Sequence, residues 1–134
     1  TALGWETGVL DRMHFVGHVE RNDLMDLYRA ATLFVFPSTW ETFGLAAVEA
    51  AMTGLPIVCS DIPALREVLT INDQTMARFL ASRNADVWAD EISQCLNDSG
   101  LRARCEEFSA IIQDKYSERR MMQSYDALYA ELMR

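Results

Sequence analysis

At 134 residues, half of them hydrophobic and 24% charged, the chain has the length and make-up expected of one globular domain with a real core. No apolar run approaches the ~20 residues that span a bilayer, and the opening residues do not read as a signal peptide. A formal charge of −8 argues against general nucleic-acid binding, which gathers Lys and Arg on one face; an anionic ligand must instead be held by a local field such as a helix terminus.

Residues 1–10, with Gly4, Trp5 and Gly8, show no clear period. Asp11-Arg12 then leads into an apolar run over 13–17 that reads as a strand, and His18-Val19-Glu20-Arg21 as a turn. Asn22 or Asp23 is a candidate N-cap for a helix over 24–31, with Leu24, Leu27, Tyr28 and Ala31 on one face. A buried-type strand follows at 32–36, a helix at 43–53, a strand at 56–60, and a helix from 63 to near 70 with Asp61 as its cap candidate and Pro63 in its first turn. Ile71-Asn72-Asp73-Gln74 is a turn, 75–81 a short strand by position, and Asn84 or Asp86 caps a helix over 87–96. After the break at 97–100, a helix over 101–115 carries Phe108, Ile111 and Ile112 on its apolar side. Ser117 opens a last helix with a stripe of Met121, Tyr125, Leu128, Tyr129 and Leu132, which reads as core or interface, core packing being the ordinary expectation. Short apolar strands alternating with helices predict an α/β fold, a Rossmann-like parallel sheet covered by helices on both faces, with ligands in the crevice at the carboxyl ends of the strands.

The chemistry concentrates in residues 37–54, P-S-T-W-E-T-F-G-L-A-A-V-E-A-A-M-T-G. An apolar run feeds a polar turn, an alanine-rich helix follows, and Gly54 stops it before a second apolar run, which is the pattern of a parallel βαβ unit. The helix N-terminus offers unpaired amides and the positive end of its dipole, and Gly44 lets a ligand approach the backbone. Glu41 lies in the turn and Glu49 among alanines, valine and methionine, where a carboxylate is costly to bury unless something hydrogen-bonds to it, as sugar hydroxyls would. Each has an ordinary reading. Ser38-Thr39-Trp40-Glu41 also fits a capping box, and Glu49 also fits an exposed helical glutamate. Trp40 reads as a packing residue near the site. Cys59, Cys95 and Cys105 are scattered, without metal-ligand spacing, and read as reduced thiols of a cytoplasmic protein.

The E-x7-E spacing of Glu41 and Glu49, with Phe43-Gly44-Leu45 between them and Pro37-Ser38 ahead, resembles the donor-sugar signature of retaining GT-B glycosyltransferases, above all glycosyltransferase family 4 (glycosyl transferases group 1). Phe15-Val16-Gly17-His18-Val19 resembles that family's F-x-G-x-V strand, L-M-D-L-Y-R-A-A its L-x-x-x-Y-x-x-A helix, Gly54-Leu55-Pro56-Ile57-Val58 its G-x-P-V-V, and Arg66-Glu67-Val68 the helix ending in E-V. Five motifs in the right order are specific where one alone is weak.

The resemblance implies a nucleotide-sugar-binding domain over 1–134, the C-terminal half of a GT-B enzyme. Its first strand–helix unit, the basic residue after that strand and the acceptor-binding domain are expected to be missing, so the chain is expected to be a fragment. The implied reaction moves a hexose from a UDP-, GDP- or ADP-sugar to an acceptor hydroxyl with retention, without a metal or other cofactor. Glu41 would position the donor sugar; Thr42 and the Phe43, Gly44 and Leu45 amides would meet sugar and diphosphate; Glu49 would hold ribose hydroxyls; and Gly17, His18 and Val19 would pack against the base. The alternative is a stand-alone Rossmann-like module that binds a nucleotide or protein without catalysis. Membrane association of the parent enzyme is not readable from this stretch.

Overall fold

The computed structural model describes residues 8–134; Gly4 and Trp5 lie outside them. Three short runs rich in aromatic and β-branched residues form the sheet: β1 (Phe34–Phe36), β2 (Ile57–Ser60) and β3 (Arg78–Leu80). They run parallel in the order β1-β2-β3, with Val35 opposite Val58 and Cys59 opposite Phe79. The helices are α1 (Arg21–Ala30), α2 (Leu45–Met52), α3 (Pro63–Leu69), α4 (Ala85–Asn97), α5 (Leu101–Lys115) and α6 (Glu118–Leu132). Leu10–Arg12 form one 3-10 turn.

The two faces of β2 bury different neighbours, as the period of two requires. Ile57 and Cys59 join the larger core with Leu65, Val68 and Leu69 of α3, Ala47, Val48 and Ala50 of α2, and Phe108 and Ile112 of α5. Val58 faces the other way, into a smaller core with Cys95 of α4 and Leu101 and Cys105 of α5. Helices therefore cover both faces of a parallel sheet, as the sequence predicts. Tyr28 of α1 meets Phe34 edge-on, with ring centroids 5.6 Å apart. Each large aliphatic side chain fully buried here contributes about 1.5–3 kcal/mol.

Several boundaries differ from expectation, each for a local reason. Residues 13–17 are not a strand: no ladder joins them to another segment of the described residues, the Met13 amide only closing the 3-10 turn on the Leu10 carbonyl at 3.0 Å, and Phe15 and Val16 are 71% and 62% exposed. An alternating apolar run becomes a strand only when a neighbour supplies the ladder. Helix α1 begins at Arg21, so Asn22 and Asp23 lie inside it; Glu20 occupies the N-cap and makes no side-chain cap bond. Asp61 does not cap α3. Ile62 holds that place, and the Asp61 carboxylate is taken by Arg66, whose Nε and Nη2 both donate to it. Asn84, rather than Asp86, caps α4 by accepting from the Asp86 amide at 2.8 Å. Ser117 caps α6 as read, but the stripe on α6 does not pack into the core, and none of that helix's residues is buried.

Gly54, in the left-handed region at φ 72°, turns the chain out of α2. A Cβ there would sit 2.9 Å from Glu106 Cα, so the glycine also lets α5 lie against the end of α2.

Candidate functional site

The polar turn leaves the carboxyl end of β1, and its shape depends on one glycine. Gly44 is the N-cap of α2, with φ 83° and ψ 45°, a left-handed conformation that a side chain makes costly. Space excludes one as well: a Cβ at Gly44 would lie 2.5 Å from Cδ2 of Leu65, which is wholly buried beneath the turn. The Gly44 carbonyl accepts from Ala47 N at 3.0 Å and Val48 N at 3.2 Å, which starts the helix. Nothing caps it from a side chain, and no acidic residue stands in its first turn. Among the described residues the amides of Phe43, Gly44, Leu45 and Ala46 have no hydrogen-bond acceptor. These donors collect at the positive end of the α2 dipole, an arrangement that favours an anion by about 0.3–1 kcal/mol in exposed settings.

The helix starts at Leu45, two residues later than expected, and that removes one of the readings of Glu41. A capping box needs Ser at the N-cap and Glu inside the first turn. Here both precede the N-cap, so the box is excluded. Ser38 Oγ instead bonds the Glu41 carboxylate directly at 2.8 Å and the Trp40 carbonyl at 3.0 Å, a side-chain clasp within the turn. Glu41 is half-buried and Thr42, Phe43 and Leu45 are exposed. Trp40 is 75% exposed rather than packed in the interior, contrary to expectation.

Glu49, one turn into α2, is half-buried rather than fully solvated. Its carboxylate accepts no hydrogen bond among the described residues, and it lies near enough to Tyr28 for its charge to add to the effect of burial in raising the Tyr28 hydroxyl above its ordinary value. Along the chain, Glu41 precedes the free amides and Glu49 follows them, one before the helix and one on it.

Beside the turn, the carboxyl ends of all three strands open into a cleft of about 630 Å³ lined by Ser38, Ser60, Asp61, Ser82, Arg83 and Trp88, among others. The expected crevice is there, and Ser38 belongs both to its wall and to the clasp on Glu41. Asp61 at its edge is held below the usual carboxylate range, chiefly by the hydrogen bond from Arg66. The Arg66 guanidinium in turn lies over the Phe79 ring, 4.7 Å from its centre. None of Glu41, Thr42, Phe43, Gly44, Leu45 and Glu49 lines this cleft, and neither do Gly17, His18 and Val19. Gly17 turns the chain at φ 72°, His18 is exposed beside Glu20 at 3.8 Å, and His18 and Val19 line a separate concavity against Leu27 and Ala30 of α1.

Sequence reasoning missed two supports of the turn. Leu65 sits under Gly44, and Tyr116, at the end of α5, places its ring 5.8 Å from that of Phe43 at an interplanar angle of 86°. Both contacts are remote in sequence, and neither residue belongs to a motif that points at the turn.

Residues 2–110 match the family described as glycosyl transferases group 1. The chain belongs to that family. Among relatives of this glycosyltransferase chain, the lipopolysaccharide core biosynthesis mannosyltransferase LpsB of Rhizobium meliloti is 32% identical over 130 residues, covering 96% of this chain and 36% of the relative. The D-inositol 3-phosphate glycosyltransferase of Salinispora arenicola is 40% identical over 101 residues, covering 75% of this chain and 22% of the relative. In structure, the sucrose-phosphate synthase of Thermosynechococcus elongatus superposes over 98% of this chain and 33% of its own, with a TM-score of 0.84 and 27% identity. The fold is thus the Rossmann-like half of a GT-B architecture, and the glycosyltransferase chain spans about a third or less of the proteins it matches.

Proposed function

We propose that this chain is the nucleotide-sugar-binding part of a retaining glycosyltransferase that transfers a hexose from a UDP-, GDP- or ADP-sugar to an acceptor hydroxyl. The observation that carries the reading is the uncapped N-terminus of α2 at the carboxyl end of β1, its free amides flanked along the chain by Glu41 and Glu49. Backbone donors suit the negative charge that grows on a leaving diphosphate, and they need no reorganisation as it grows. Glu49, half-buried with its acceptor oxygens unused, suits a vicinal diol such as that of ribose. Glu41, fixed by Ser38, suits hydroxyls of the transferred sugar. Both carboxylates position the donor rather than act as a general acid–base pair, and orientation is their share of the rate. Two relatives, named as a mannosyltransferase and an inositol phosphate glycosyltransferase, fit hexose transfer.

The acceptor is bound by a second domain, without which this chain binds nucleotide weakly and turns nothing over. Titration of the labelled chain with UDP, GDP and ADP is expected to shift the amide resonances of Gly44, Leu45 and Ala46, and Glu49→Ala is expected to abolish the shifts. Shifts confined to other residues, or an unchanged response in Glu49→Ala, refute the donor site. Turnover of a nucleotide-sugar by the 134-residue chain refutes the need for a second domain. Inverted anomeric configuration in the product of the longer enzyme refutes retention.

A further inference from the structure

The turn that presents the free amides has little of its own to hold it. No backbone-to-backbone hydrogen bond ties residues 38–43 to the rest of the described chain. Its shape rests on side chains: the Ser38 clasp, Leu65 beneath Gly44, and the aromatic contact of Phe43 with Tyr116. Phe43 immediately precedes the N-cap, so its side chain governs the direction in which the chain enters α2.

Tyr116 is itself firmly placed. It closes α5 as its C-cap, its amide donates to the Ile112 carbonyl at 3.1 Å, and its ring packs against the larger core. Its hydroxyl donates to the Val68 carbonyl at 3.0 Å near the end of α3, and Lys115 Nζ lies 5.1 Å from its ring centre. One side chain therefore joins α5, α3 and the turn ahead of α2.

We propose that Tyr116 is a positioning residue for the donor site, its ring holding Phe43 and, through it, the amides of Gly44, Leu45 and Ala46 in the orientation that an anion requires. This rests on the reading of the turn as the donor site. An edge-to-face pair stabilises one relative placement of two rings, which suits such a strut. The hydroxyl anchors the strut and the ring bears on the site, so the two parts can be separated by mutation.

The test compares Tyr116→Phe, which keeps the ring, with Tyr116→Leu, which removes it, and uses Ile112→Val as a core control of lowered stability. Two readouts are taken on each: line widths and hydrogen exchange of the amides of residues 42–46 without ligand, and affinity for UDP and GDP. Tyr116→Leu is expected to broaden those amides, speed their exchange and weaken nucleoside diphosphate binding about tenfold. Tyr116→Phe, which keeps the ring but loses the anchor to Val68, is expected to lose much less than Tyr116→Leu on both readouts, and Ile112→Val to leave both unchanged. The proposal is overturned if Tyr116→Leu behaves as wild type, if Tyr116→Phe loses as much as Tyr116→Leu, or if Ile112→Val reproduces the loss. If neither nucleotide binds the unaltered chain, the donor reading fails, while the amide readout alone still decides whether Tyr116 holds the turn.

Discussion

Helices α5 and α6 are equal in length, adjacent in sequence and similar in pattern, yet they do opposite things. Each has 15 residues, and each carries apolar side chains at helical spacing. Helix α5 buries Leu101, Cys105, Phe108 and Ile112, reaching both cores. Helix α6 buries nothing, although Met121, Met122, Tyr125, Leu128, Tyr129 and Leu132 lie along it. The difference is set by what the rest of the fold leaves open. Gly54 lets α5 approach α2 closely, and Gln113 and Lys115 of α5 donate to the carbonyls of Met52 and Glu67. For α6 the ties lie at its start, where Asp114 accepts from both Arg119 and Arg120. An amphipathic stripe specifies that a face can be covered; it does not specify by what.

The contrast can be broken most directly at Ile112, which is wholly buried. Ile112→Ala is expected to cost about 2–5 kcal/mol in denaturant unfolding. Gly54→Ala is expected to cost about 2–4 kcal/mol, since it combines a left-handed φ with a close contact to the α5 backbone. On α6, Leu128→Ser is expected to change stability by less than about 0.5 kcal/mol. A loss there approaching that of Ile112→Ala would mean that α6 is packed after all. The smallest effect concerns the entry to α5, where Arg104 donates to Asp98 at 2.5 Å and holds its carboxyl below the ordinary range. A carboxyl lowered in the folded state contributes stability above its unfolded value of about 3.9, and that contribution disappears as pH falls through the folded value. The gap in unfolding midpoint between the unaltered chain and Arg104→Gln should therefore narrow between pH 6 and pH 3; a gap independent of pH would exclude the pair as its source.

Much of this architecture was legible from residue pattern. The strand–turn–helix–turn–strand order of residues 33–59, a break between helices near 98–100 and the caps at Asn84 and Ser117 are local signals, written in adjacent side chains, and they are present, with ends shifted by one or two residues. What was not legible is long-range. Residues 13–17 have a strand's composition but no partner strand among the described residues, so propensity alone misled. Ser38 and Glu41 have a capping box's spacing, but the left-handed Gly44, seated over Leu65, delays the helix to Leu45. The turn, the uncapped start of α2 at Gly44 and Glu49 could be singled out from sequence because they are neighbours along the chain. Tyr116 was not, because it reaches the turn only through tertiary packing.

All three cysteines, Cys59, Cys95 and Cys105, are unpaired and buried, and desolvation pushes the Cys59 thiol up to about 12. At neutral pH the native chain should therefore be nearly silent toward alkylating reagents. A single cysteine introduced at exposed Thr42 would then accept a fluorophore or spin label at one chosen spot, with no need to delete the resident sulfur atoms first. The interior that stabilises the fold thus also leaves its surface ready for spectroscopy.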